Sequence, residues 1–453
     1  MKYKNKEIFF IIYFFYSLLL VGVLLFFKVS KQCFLFCFVT DIPFIIFYMI
    51  RELRNKHLIC FLFHAFNLEF LVFMIFRIYF ANVSENSWRI KYDRQEDCVY
   101  ALQLILLSMI IMILTQILSA NLIGGIDRKQ QDGKKGLGLC RNELNIICIV
   151  FLIYLSIFFE KFGFGSTRIY TTNRSSSSYE IGLYAIILMM FISFLISVLF
   201  FEKEARKSWL YILTLLLYLV EMISIGFKGY RYILVFIAIE FLFLFFDHVK
   251  VSMKKIICFC IVGIGFYVLM TYVKYWYIGT TYMGINSVGL HERNIFYSLV
   301  ALIKELEGTA NRSDNTYVNG ILLLVPRFIS GQFSLASSGN AIIRYFDQGW
   351  LGTGMNMGAY YLTEAYMNLR LFGIPAVSVI MAIVIFQLEA IKNRNRFEGK
   401  FYYAYVLGQT YNIVYYGFTG YFRILIYYAC FLALIGISHK IYIAMRTGEK
   451  IRI

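Results

Sequence analysis

The chain has 453 residues, of which 60% are hydrophobic, 19% aromatic and 16% charged, with three prolines. A soluble domain of this size would bury one large core, but it would not repeat apolar blocks of about 20 residues, the length a helix needs to cross a bilayer. The formal charge of +17 would suit nucleic acid, yet the basic residues sit in short gaps between apolar blocks, so nucleic acid is not an expected partner.

In chain order, the first apolar run is Ile8–Phe27, preceded by Lys2, Lys4 and Lys6. It resembles a signal sequence but is too long for a signal core and lacks a small-residue cleavage site, so it is expected to stay as the first helix. Further spans are expected at 33–50, 58–80, 98–123, 143–159, 181–201, 208–226, 231–246, 255–273, 371–391, 401–417 and 422–439. The expected fold is an all-α polytopic membrane helical bundle with about 12 transmembrane helices and one large external loop.

The gaps alternate in character. The N-terminus, Arg51–His57, Gly124–Arg141, Glu202–Lys207, Asp247–Lys255, Lys392–Lys400 and the C-terminal tail hold 25 of the 44 lysines and arginines. The other gaps carry basic residues at about a third of that density, which by the positive-inside rule puts the first set and both termini in the cytoplasm. Outside lie the serine-rich loop Glu160–Glu180, the tight turn Gly226–Arg231, and a segment from Lys274 to Arg370, too long for a mere connector. The end of that segment suits an amphipathic or re-entrant helix. The chain thus divides into N-terminal helices (1–159), central helices with the first external loop (160–273), the large external loop (274–370) and C-terminal helices (371–453).

Glu69, Glu221 and Glu240 fall within expected spans. A charge there costs about 2.5–3.5 kcal/mol by the lower scales, so each is either neutralised inside the bundle or lines a hydrophilic cavity. For Glu221, a local ion pair with Lys228 or Arg231 is the simpler account. The outer side carries Arg168, Arg174, Arg231, Arg312, Arg327, Arg344, Arg370 and Arg423. Singly, each reads as a headgroup or loop contact; as a set they suit anion binding, because a guanidinium presents a planar fork to phosphate. Tyrosine and tryptophan in Tyr272–Tyr282 read as an interfacial belt. The nine cysteines and five histidines show no metal-ligand spacing, so no metal site, disulfide or cofactor is expected.

Three short patterns give a resemblance. They are "FKGYR" at Phe227–Arg231, "LVPRF" at Leu324–Phe328 and "LTEAYMNLRLFG" at Leu362–Gly373. In order and placement they resemble elements of the Wzy-type O-antigen and capsule oligosaccharide repeat-unit polymerases, over roughly residues 160–375. The family's paired loops, each an arginine with a glycine ten residues later, are matched less well, since neither Arg327 nor Arg168 has a glycine at that distance and the candidates Gly339 and Gly182 lie farther on. The resemblance implies a bacterial inner-membrane glycosyltransferase that joins oligosaccharide units carried on undecaprenyl diphosphate, with a chain-length regulator protein as a candidate partner. On that footing Arg231, Arg327 and Arg423, with Arg168 and Arg344, would hold diphosphate. Glu364 would be the general base, and Tyr366 and Asn368 would orient a sugar. An ordinary helix pairing of Glu364 with Arg370 competes for that carboxylate. An O-antigen ligase shares the architecture, while a lipid-linked oligosaccharide flippase would be expected to have shorter loops and an internal repeat.

Overall fold

The computed structural model describes residues 2–79, 86–87, 90–91, 95–122, 138–164, 174–227, 231–248, 265, 290–307, 316–318, 342, 360–392 and 397–447. The long helices among them are α1 (Lys2–Phe26), α2 (Lys31–Arg54), α3 (Leu58–Tyr79), α4 (Gln95–Leu122), α5 (Arg141–Phe162), α6 (Arg174–Phe201), α7 (Trp209–Phe227), α8 (Arg231–His248), α9 (Leu290–Glu307), α10 (Tyr361–Lys392), α11 (Phe397–Tyr416) and α12 (Phe418–Thr447). Asn86–Ser87 pairs antiparallel with Ile90–Lys91 in the connection between α3 and α4.

Helices occupy eleven of the twelve expected positions, and the twelfth, 255–273, lies outside the described residues apart from Gly265. Eight of the described helices are long and apolar enough to cross a membrane. α11 is not among them; it turns Gln409, Thr410 and Asn412 into the interior, where all three are buried.

Two helices organise the bundle. α4 is apolar nearly all round, and such a helix must be enclosed or face lipid. It is enclosed: 89% of its most apolar window is buried, against α1, α2, α3, α9 and α10. α11 is the second hub, packed against α3, α6, α8, α10 and α12. The peripheral helices are apolar outward. α5 exposes Ile146, Ile149, Val150, Ile153 and Ile157, one stripe at helical spacing. Such a stripe is unstable in water and at home in hydrocarbon. Together with the apolar helices, it makes the chain an all-α membrane bundle.

The basic gaps meet on one end of that bundle. Lys392 donates from Nζ to the Lys56 carbonyl (3.1 Å), and the Glu389 carboxylate accepts the backbone N–H groups of Ile59 (2.8 Å) and Cys60 (3.1 Å). Farther round the same end, the Gly138 N–H reaches Glu202 (3.1 Å) and His439 Nδ1 lies 2.8 Å from Glu143. A cleft of about 110 Å³ opens here, lined by Tyr48, Arg51, Glu52, His57, Gln116 and Glu389.

α9 is an element the sequence reading left inside the external loop. Its middle, Ile295–Ile303, is wholly buried against α3, α4 and α10. The charges Glu292, Arg293, Lys304, Glu305 and Glu307 flank too short an apolar stretch to read as a span.

Candidate functional site

α10 begins at Tyr361, ten residues before the span expected at 371, and it is not one straight helix. Its backbone breaks at Arg370, with φ 56° and ψ −143°, a region that side-chain-bearing residues rarely occupy. Three neighbours account for the break. Gly373 lets the chain close on itself: a Cβ there would lie 2.1 Å from the Ala365 carbonyl oxygen. Pro375 has no N–H to continue the helical ladder. Arg370 donates from Nη1 to the Leu306 carbonyl (3.1 Å), placing a cation at the C-terminal, electronegative end of α9.

The turns just before the break carry the candidate site. Glu364 is fully buried, as are Thr363 and Thr316. The Thr316 hydroxyl lies 3.4 Å from Glu364 Oε1. The Asn368 carboxamide locks the arrangement: its oxygen accepts the Thr316 N–H (2.8 Å), and its Nδ2 donates to Thr316 Oγ1 (2.6 Å) and to the Glu364 carbonyl (2.7 Å). The hydroxyls of Tyr317 and Thr363 are buried with no hydrogen-bond partner among the described residues. Burial, with the Glu364 carboxylate nearby, pushes the Tyr317 phenol well above its ordinary pKa, so it stays a neutral donor. A carboxylate, a carboxamide and two unpartnered hydroxyls form a set that can recognise a polyhydroxyl ligand and accept a proton from it.

Of the residues singled out by sequence, the structure brings together Glu364 and Asn368, with Tyr366 buried one turn before the break. The competing Glu364–Arg370 pairing is set beside the Arg370 bond to Leu306. Arg231 stands at the first residue of α8 and Arg423 in the second turn of α12. Arg168, Arg327 and Arg344 lie outside the described residues. Sequence reasoning missed Thr316 and Tyr317, which sit in a short helical turn within a polar stretch whose sequence has no periodicity to flag them. The break itself was signalled by Gly373 and Pro375, two residues apart in an apolar run.

Glu69, Glu221 and Glu240 fare differently. Glu69 is exposed on the bundle and accepts the Tyr415 hydroxyl (2.6 Å). Glu221 and Glu240 are fully buried. The cleft at the basic end is not part of the Glu364 site, since Glu389 follows Glu364 by 25 residues, roughly 35 Å of helix. The chain matches no protein-family model, no curated protein and no solved structure.

Proposed function

We propose that the chain is a membrane glycosyltransferase that polymerises undecaprenyl-diphosphate-linked oligosaccharide repeat units at the outer face of the bacterial cell membrane. The observation that carries this reading is the broken helix α10, which buries Glu364 and Asn368 just before a strained Arg370. Backbone strain and an ionisable residue within a membrane helix are each expensive, and both collect at functional sites. The Wzy-type resemblance supports the same segment from sequence.

In the proposed reaction, a hydroxyl of the incoming unit attacks the anomeric carbon at the reducing end of the growing chain. The new glycosidic C–O bond forms as the bond to diphosphate breaks, and the lipid diphosphate leaves with the electron pair. Glu364 takes the hydroxyl proton. Arg231, Arg327 and Arg423, with Arg168 and Arg344, neutralise the departing diphosphate. Asn368, Tyr366 and the Tyr317 hydroxyl orient the sugar. Because Thr316 covers the carboxylate, the segment 316–318 must shift when substrate enters.

Deleting the gene in its native host and sizing both surface polysaccharide and lipid-linked sugars tests this reading. Single repeat units in place of long chains are expected, restored by wild type but not by Glu364→Gln or Arg231→Ala at equal membrane levels. Long polymer stranded on its lipid carrier would identify a ligase instead, and repeat units trapped on the cytoplasmic side a flippase. Unchanged glycans would end the proposal.

A further inference from the structure

Glu240 lies on α8 in the middle of the bundle, fully buried. One carboxylate oxygen, Oε1, accepts the hydroxyl of Ser193 on α6. The other, Oε2, has no hydrogen-bond partner, and Glu240 makes no ion pair among the described residues. Around it, Ser193 Oγ lies 3.3 Å from the Tyr428 hydroxyl of α12, and the Tyr428 ring stacks on Tyr405 of α11 with centroids 3.9 Å apart. The Tyr405 hydroxyl is buried beside the Gln409 carboxamide, one turn along α11, and the hydroxyl of Ser197, one turn along α6 from Ser193, is buried without a partner among the described residues.

Backbone packing explains why these groups meet. Gly408 on α11 sits against Phe236 on α8, where a Cβ would fall 2.5 Å from the ring. One turn away on each antiparallel helix, that close approach brings Tyr405 to the level of Glu240. Four helices therefore converge on one carboxylate and several hydroxyl oxygens. Leaving such an atom unsatisfied in a low-dielectric interior carries the full desolvation penalty of that group. The described surroundings supply oxygen ligands, which suit hard cations, and a single negative charge. A divalent ion would leave an excess positive charge there. A proton on Oε2 would neutralise the carboxylate but engage only one further oxygen.

We propose that Glu240, Ser193, Ser197, Tyr405 and Tyr428 bind one alkali-metal cation within the helix bundle. The site ties α6, α8, α11 and α12 together through a single charge, and it is independent of the glycosyl-transfer reading.

The test uses the full chain purified and reconstituted in nanodiscs at fixed pH and ionic strength. Thermal unfolding is followed in sodium, potassium and choline chloride, with uptake of radioactive sodium as a direct binding measurement. Sodium or potassium, but not choline, should raise Tm saturably, because a ligand that binds only the native state stabilises it. The comparison of the two salts identifies the preferred ion. Glu240→Gln should lose the effect. Ser197→Ala and Tyr405→Phe, which keep the charge and carry the test if the glutamine variant does not fold, should weaken half-saturation about tenfold. Equal Tm in all three salts overturns the site, as does a salt effect undiminished in these variants. A stability that depends on pH alone, and loses that dependence in Glu240→Gln, would show a protonated acid instead and also overturn it.

Discussion

Arg370 and Gly373 show how a few atoms set the geometry of the candidate site. Positive φ at Arg370 carries about 1–3 kcal/mol of strain, which a glycine would not feel. Arg370→Gly and Arg370→Ala both remove the guanidinium from the Leu306 carbonyl, yet only glycine relaxes the backbone. The glycine variant should therefore unfold at the higher temperature of the two, a gap of about 1 kcal/mol or more. Equal Tm values would mean that the break at 370 is not strained. Gly373→Ala has the opposite character: the added methyl meets backbone atoms at 2.1 Å and 2.7 Å, which have no rotamer to yield. Overpacking of that kind costs about 1–3 kcal/mol, and expression with detergent-solubilised Tm should both fall. Because the clash opens α10 beside Glu364, the proposed polymerase reading expects short polymer from this variant even where the protein is still inserted.

Helix ends are held by side chains from other helices, and that is the main economy at the level of elements. The first N–H groups of a helix lack intrahelical partners, and its N-terminus favours negative charge. For α3, both needs are met by Glu389 of α10, whose other oxygen accepts the Tyr403 hydroxyl of α11 (2.8 Å). Glu389→Ala strands the Cys60 N–H and the Tyr403 hydroxyl at about 1–3 kcal/mol each and leaves the Ile59 N–H only its long bond to Tyr403 (3.4 Å), whereas Glu389→Gln keeps an acceptor and should lose less. Thermal denaturation should rank the proteins wild type, glutamine, alanine, and a reversed order would refute the capping role. Gln103 of α4 does the same for the far end of α1. Its Nε2 donates to the carbonyls of Leu24 (2.5 Å) and Phe27 (2.6 Å), and its oxygen accepts the Val29 N–H (3.1 Å). Gln103→Leu should release that turn, seen as faster amide exchange confined to residues 24–29, with the rest of α1 unchanged.

For the whole molecule, contacts among the gaps are what test the charge pattern. Arg51–His57, Lys392, Glu202 and the segment from Gly138 to Glu143 meet at one end of the bundle through side chains distant in sequence. Positive charge is retained on the cytoplasmic side, so this common end is expected to face the cytoplasm. Fusions of a reporter that folds only in the cytoplasm should be active after Asn55, Glu204 and the C-terminus, and inactive after Phe164. Activity at Phe164, or silence at Asn55, would invert or break the proposed topology. The long segment after residue 273 is also more than a loop, because its helix α9 packs among α3, α4 and α10. Removing residues 290–307 should therefore abolish stable insertion rather than trim a loop.

The all-α bundle and the positions of most of its helices were legible in the sequence, because they follow from apolar block length, a local property. Glu364 and Asn368 were legible as polar residues at the edge of a span. Their closure by Thr316 was not: that contact joins residues 48 and 52 apart, and no periodicity links them. Nor could composition separate Glu240, enclosed among hydroxyls, from Glu69, exposed on the bundle, since both are single glutamates in apolar runs. α9 was hidden because packing against three neighbours, not length, buries its short apolar face. The sequence alone determined which segments form apolar helices long enough to cross a membrane, since that depends on residues adjacent in the chain. Only the tertiary structure decided which polar groups share an interior, because that depends on helix rotation and on close approaches such as Gly408 to Phe236.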